Sequence, residues 1–199
     1  MASARGYHHG DLRAALITAA QAAVEAGGPE AVSLRDLAQS LGVSTAAPYR
    51  HFPDRRALLT EVAARGFADL AAAYGKARAQ APDPRSALRE TARAYLDLGL
   101  GRPGLFRLMF ASDLVGAADA PASLLIPAGE AWAGLYGAVA AADPDADETT
   151  IRRRVITGWS TLHGFIALVQ GGRLKDFMTG PLTEAELLAA VLGKALNEG

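Results

Sequence analysis

The sequence predicts an all-α protein of about nine helices, and three observations carry that prediction. No stretch sustains the apolar-to-polar alternation of a half-buried strand. Alanine is abundant while β-branched residues are sparse. Apolar residues recur at helical spacing between clusters of Gly, Pro, Asp and Ser. With 199 residues, 50% of them hydrophobic, the chain can bury a real core in one or two domains.

Each element has its own signal. Asp11 can cap a first helix on which Leu12, Ala15, Leu16, Ala19, Ala23 and Val24 follow helical spacing, and Gly27-Gly28-Pro29 ends it. Ser33 with Asp36 reads as a capping box for a second helix, with Leu34, Leu37, Ala38 and Leu41 on one face and Gly42 as its stop. Ser44 caps a third, Thr45 to His51. Pro48 there removes only a hydrogen bond to the Ser44 carbonyl, so a short, stiff helix is expected. Asp54 caps a fourth, which carries Leu58, Leu59, Val62 and Phe67 to about Gln80, where "APDP" breaks it. Further helices are expected over Arg85–Leu100, Leu105–Leu114, Pro121–Ala142, Asp147–Gln170 and Thr183–Asn197, separated by "GRPG", "DPDAD" and "GGRLKDFMTGP". No internal repeat is visible. The composition shift near Ala81–Pro84 is weak, so the expected domain boundary lies inside the fourth helix, dividing residues 10–67 from 68–199.

Net charge is −1, and residues 1–60 hold six Lys/Arg and five Asp/Glu, which leaves fourteen and sixteen of the totals of 20 and 21. Bulk electrostatics therefore gives no support to nucleic-acid binding, and any such contact must come from local arrangement. Zero cysteines exclude disulfides, thiolate nucleophiles and Cys-ligated zinc or iron–sulfur sites, and fit a reducing cytoplasm. "MASARGYHHGDLRAAL" has no apolar core of signal-peptide length, and no later run is expected to approach a membrane span, so a cytoplasmic protein without a membrane partner is the reading. Nucleophile elbow, phosphate loop and paired-histidine motif are all missing, so no catalytic residue, cofactor or enzymatic role is assigned. His8, His9 and Asp11 raise a zinc question, but no third ligand has fixed spacing and no metal is assigned. Arg5, Tyr7, His8 and His9 read better as an arm touching DNA backbone or minor groove.

The stretch "SLRDLAQSLGVSTAAPYRHFPDRRALL" places two short helices either side of Gly42-Val43, the pattern of a helix-turn-helix whose second helix presents its first residues to base edges. Leu37, Leu41, Val43, Tyr49 and Phe52 are the expected apolar wedge, with Thr45, Ala46 and Arg50 facing outward. Spacing assigns Phe52 to core and divides Tyr49, its ring inside and its hydroxyl outward. Ser33 and Ser44 are caps whether or not phosphate shares those helix starts. Arg55 and Arg56 read either as phosphate contacts or as a solvated face.

"LRDLAQSLGVSTAAPYRHFPDRRALLTEVA" resembles the DNA-binding domain of the tetracycline-repressor (TetR) family: an alanine after the second-helix leucine, Gly-Val-Ser at the turn, Tyr-x-His-Phe closing the third helix, then a basic residue and leucines. The resemblance spans Gly10–Phe67. It implies that Ser33, Tyr49, His51 and Arg55 hold phosphates and that Thr45, Ala46 and Arg50 lie nearest the bases of a double-stranded operator, with Ser44 at the same helix start. The family's usual lysine is Arg55 here. With Ala46 and Ala47 at positions that are polar in many members, methyl contacts to thymine are expected to matter.

In "RVITGWSTLHGFIALV", Val155, Trp159, Leu162, His163 and Ile166 share one helix face, and Trp159 and His163 lie one turn apart. This is similar to the Trp–His–Gly signature of one TetR-type C-terminal class, and "RPGLFRLMF" fits the same class. Trp159, His163, Phe106, Met109, Phe110, Trp132, Tyr136 and Tyr95 are the candidate walls of a pocket for a partly apolar small-molecule effector; helical spacing makes each more often plain core than ligand wall, and His163 a core histidine bonded to a neighbouring helix. Leu187, Leu188, Val191, Leu192, Ala195 and Leu196 make a broad apolar stripe which, beside the Asp147–Gln170 helix, suits a four-helix homodimer interface, as the resemblance also implies. The resemblance implies a ligand-responsive repressor on a near-palindromic operator. The rival readings are a helical small-molecule binder or enzyme using His163, and an architectural DNA binder without an effector.

Overall fold

The structure, a computed structural model, describes residues 9–196. Among them are nine α-helices and no strand: α1 His9–Gly27, α2 Leu34–Ser40, α3 Arg55–Gln80, α4 Pro84–Gly101, α5 Pro103–Phe110, α6 Ala122–Ala142, α7 Glu148–Gln170, α8 Asp176–Thr179 and α9 Glu184–Ala195. Two short 3-10 helices, Pro29–Ala31 and Pro48–Arg50, complete the described elements. Five helix starts, those of α2, α3, α4, α7 and α9, have a side-chain oxygen taking an orphan backbone N–H. Ser33 Oγ accepts from Asp36 N at 3.3 Å, Asp54 Oδ1 from Ala57 N at 2.8 Å, Asp83 Oδ1 from Ser86 N at 2.9 Å and Asp147 Oδ1 from Thr150 N at 2.7 Å. Thr183 and Glu186 form a full capping box on α9. The first helix begins at His9, upstream of its expected cap Asp11. The proposed arm residues Arg5, Tyr7 and His8, like the side chain of His9, lie outside the described residues.

The described residues divide into two compact units, one holding 9–66 with 104–125, the other 67–103 with 126–196. The expected division at 67 places all of 68–199 together, whereas α5 and the loop after it pack with the N-terminal helices. Two glycines explain why. A Cβ on Gly104 would stand 1.9 Å from the Val24 carbonyl oxygen, and one on Gly66 2.7 Å from Met109 Sδ, so α5 lies directly against α1 and α3. Leu16, Val24, Phe52, Leu58, Val62, Leu105, Leu108 and Met109 are buried in this unit.

In the second unit, the rest of α3 together with α4, α6, α7 and α9 bury Leu70, Tyr74, Tyr95, Leu96, Val155, Leu162 and Ile166. Gly99 of α4 meets Ile166 of α7, where an added Cβ would lie 2.5 Å from Ile166 Cδ1, and Gln170 Nε2 donates to the Gly99 carbonyl at 2.7 Å. Gly158 of α7 lets the end of α9 approach, since its Cβ would stand 2.8 Å from the Ala195 carbonyl oxygen.

Three expectations are corrected. The expected third helix is not an α-helix but a run of turns ending in the 3-10 helix Pro48–Arg50. The linker "GGRLKDFMTGP" contains the short α8. One run does reach membrane-span length and composition: α6, 21 residues with mean hydropathy 1.2, contains Glu130 as its single charged residue. Its many alanines and branched aliphatics raise hydropathy without forming the continuous apolar run that the eye looks for, and Ala131, Ala138 and Val139 are buried.

Candidate functional site

Residues 44–52 form a chain of tight turns ending in the 3-10 helix Pro48–Arg50. An α-helix from Ser44 would need an N–H at residue 48 for the Ser44 carbonyl, and proline has none. The carbonyl takes the Ala47 N–H instead at 2.9 Å, and the same short register continues with Arg50 N to Ala47 O at 3.2 Å and His51 N to Pro48 O at 2.9 Å. Pro48 therefore sets the shape of the whole segment, not merely one missing bond. It is also buried, as is Phe52, and these two residues pin the segment down while Ser44, Thr45, Ala46, Tyr49 and Arg50 are exposed.

Tyr49 is 55% exposed, so its ring is not part of the wedge; Pro48 holds the inward position instead, because the 3-10 turn rotates the next residue outward. Neither the Tyr49 nor the Arg50 side chain has an internal partner among the described residues. Ser33 is half-buried and spends its oxygen on the α2 cap, and His51 is half-buried. Ser44 contributes its carbonyl to the turn, not a side-chain cap. Arg55 donates from Nε to the Val32 carbonyl at 2.9 Å and from Nη2 to the Pro29 carbonyl, tying the start of α3 to the turn before α2. Two of the five guanidinium N–H donors are thus engaged and three remain. Arg56 is paired with Asp113 at 3.1 Å and stands 4.0 Å from Asp119.

The second unit encloses a cavity of about 510 Å³, within the range of small-molecule sites. Leu88, Ala92, Leu135, Val139, Val155 and Leu162 supply apolar walls, Tyr74, Tyr95 and Trp159 aromatic ones, and Arg85, Asp143 and Arg154 the charges. Of the expected pocket residues, only Trp159 and Tyr95 line it. Phe106 and Met109 are buried in the other unit, where the Phe106 and Phe110 rings meet at 4.9 Å, because α5 packs on α1 and α3. Trp132 is 36% exposed. Tyr136 packs against Val139, Ile151 and Val155, with the Arg152 guanidinium 5.7 Å from its ring centre. His163 lies behind the wall.

Tyr95 is the hub of that wall. Trp159 Nε1 donates to the Tyr95 hydroxyl at 2.8 Å, and the same hydroxyl stands 2.8 Å from His163 Nδ1. Indole is a donor only, so the arrangement that satisfies all three groups has the Tyr95 O–H donating to a neutral His163 that accepts at Nδ1. Burial lowers the His163 pKa, which favours that neutral ring, and burial raises the Tyr95 pKa above the ordinary tyrosine range against the opposing pull of Trp159. The core-histidine reading is therefore the one this geometry fits. Tyr74 is different: only 2% exposed, it lines the cavity, yet no hydrogen-bond partner for its hydroxyl exists among the described residues. Burial, with Tyr95 nearby, keeps that hydroxyl protonated.

Tyr74, Arg85, Asp143, Arg154 and Gly158 were not singled out by sequence reasoning. Tyr74 follows Phe67 and Leu70 at helical spacing, which signals burial but not a cavity, and the Asp143–Arg154 ion pair joins α6 and α7 across a turn no local pattern specifies.

Residues 16–62 match the model of the bacterial regulatory proteins of the tetR family, and residues 88–192 match the tetracyclin repressor-like C-terminal domain. A protein of unknown function from Rhodococcus sp. RHA1 is 30% identical, covers 98% of both chains and has a TM-score of 0.80. The TetR family transcriptional regulator PfmR from Thermus thermophilus is 24% identical over 92% of this chain and 96% of its own, with a TM-score of 0.62. A TetR-family regulator from Bordetella parapertussis is 17% identical over 94% and 95%, with a TM-score of 0.65. At these last two identities the likeness is one of fold. No curated protein matches significantly.

Proposed function

The chain belongs to the TetR family of transcriptional regulators, and from that premise we propose that it is a cytoplasmic repressor that binds a near-palindromic operator as a homodimer and is released by a small molecule held in the second unit. The observation that carries the DNA-binding part is the turn Ser44–Arg50, whose exposed residues stand over two buried anchors, Pro48 and Phe52. Thr45, Ala46 and Arg50 address bases in the major groove; Ser33, Ser44, Tyr49, His51 and the three remaining donors of Arg55 address phosphates. A protein of net charge −1 gains little from its bulk field, so this local set must supply the contacts.

A homodimer is required because two such turns about 34 Å apart, or a multiple of that, reach successive half-sites. The exposed face of α7 supports it: Ile156, Ser160, Gly164, Ala167 and Leu168 follow one another at helical spacing, and among the described residues nothing beyond its own helix and chain neighbours lies within 4 Å of the Cβ position of Gly164. A partner helix fits such a face closely. The Trp159–His163–Gly164 signature then has a double role, with Trp159 and His163 fixing Tyr95 and Gly164 admitting the partner. An effector that favours a DNA-incompetent state weakens operator binding by its differential affinity, typically about 1–3 kcal/mol.

The test is a gel-shift titration on a duplex selected in vitro from random sequence. Combining Arg50→Ala with Tyr49→Phe is expected to abolish binding without lowering thermal stability, since neither side chain has an internal partner among the described residues; unchanged affinity would count against the assignment.

A further inference from the structure

Most polar groups of the cavity wall are already committed, and those left over define what it can hold. Trp159 donates to the Tyr95 hydroxyl, which in turn bonds His163, so Trp159 and Tyr95 offer a ligand chiefly ring faces. Arg154 is paired with Asp143. Two groups remain. The Tyr74 side chain is buried, and its hydroxyl, open to the cavity, has no protein acceptor among the described residues. Its ring is clamped against α6, where Gly134 approaches so closely that an added Cβ would lie 3.2 Å from Tyr74 Cδ2. Arg85, in the first turn of α4, is exposed, lines the same cavity and has no acidic partner among the described residues. Two arginines against one aspartate leave the lining with a net charge of +1. The lining thus combines a neutral donor, aromatic and aliphatic walls, and one exposed cation free of an acidic partner among the described residues.

We propose that this cavity is selective for aromatic carboxylates carrying a second, uncharged acceptor oxygen: the carboxylate at Arg85, the aromatic body against Tyr95 and Trp159, and the acceptor at the Tyr74 hydroxyl. This deepens the effector reading and rests on it. A dianion is disfavoured, because beside Arg85 the uncommitted groups offer one neutral donor and no second cation, Arg154 being paired with Asp143, and burying an unpaired charge is unfavourable. A purely apolar ligand leaves the Tyr74 donor stranded.

Calorimetric titration of the full chain with three probes of one shape tests it: 4-benzoylbenzoate, its methyl ester, and 4-benzylbenzoate, which lacks the ketone. The acid with the ketone should bind tightest, the ester weaker by about threefold because Arg85 is exposed, and the compound without the ketone weaker by about five- to tenfold. Tyr74→Phe should remove the preference for the ketone while leaving 4-benzylbenzoate binding unchanged, and Arg85→Gln should remove the preference for the acid over the ester. Equal affinities for all three probes, a Tyr74→Phe effect that ignores the ketone, or no binding by any probe overturns the proposal. The regulatory reading fails separately: if 4-benzoylbenzoate binds as described but leaves operator affinity unchanged at saturation, the ligand class stands and release by this site does not.

Discussion

Tyr95 and Tyr74 are both buried tyrosines of the second unit, and replacing each by phenylalanine should give opposite results. Phenylalanine preserves the ring and nearly all the packing, so the change isolates the hydroxyl. At Tyr95 that hydroxyl accepts from Trp159 Nε1 and donates to His163 Nδ1, each at 2.8 Å. Removing it strands one donor and one acceptor. Trp159 and His163 are only half-buried, so water can partly replace the lost partner, and each break is expected to cost about 1 kcal/mol. Tyr95→Phe should therefore lose about 2 kcal/mol, a fall of about 4–8 °C in melting temperature for a chain of this size. Tyr74→Phe strands nothing in the unliganded protein and should stay within about 0.5 kcal/mol. Calorimetric melts of the three proteins, at one concentration so that dimerisation does not confound them, decide the matter. A Tyr95→Phe protein as stable as the parent, or a Tyr74→Phe protein that falls by the same amount, refutes the hub geometry.

Because the His163 pKa is lowered on folding by burial, the unfolded chain takes the proton first. Melting temperature should then be flat above about pH 6.5 and decline as pH falls through the interval below it; the decline should shrink in His163→Gln, as thermal scans between pH 8 and 5 would reveal. Gly104→Ala should lose about 3 kcal/mol, since its Cβ would collide with the Val24 backbone. Gly129→Ala on α6 meets only open space and should gain up to about 0.8 kcal/mol; urea titration that found the two equal would dismiss the close α1–α5 approach. Gly164→Arg should leave the chain folded yet monomeric by sedimentation, and a persistent dimer would move the interface elsewhere.

What could be read from the sequence was what is local. The caps expected at Ser33 and Asp54 sit where a side-chain oxygen precedes an apolar period, and both accept the N–H three residues on, because a cap involves residues only three apart. Phe52 is core as its spacing requires. The expected number of helices agrees with the nine described, but by two opposite differences: the Thr45–His51 helix became 3-10 turns through Pro48, and α8 arose in a linker. Tyr49 followed Pro48, its ring turned outward by the change of helix type. The cavity was less legible. Phe106, Met109 and Phe110 have the composition of a pocket wall, yet Gly66 and Gly104 draw α5 to the N-terminal helices, and that choice depends on glycines nearly forty residues apart. Tyr74 and Arg85 gain their meaning only from what surrounds them, since nothing in a tyrosine's sequence neighbours says whether its hydroxyl will find a partner.

The central claim is that an exposed turn, held by Pro48 and Phe52, reads DNA in pairs. Hydroxyl-radical footprinting of the selected duplex measures this directly. Two protected patches centred about 34 Å apart, or a multiple of it, and both lost together in the Arg50→Ala, Tyr49→Phe protein, are the expected result; a single continuous footprint that survives the double substitution would contradict it.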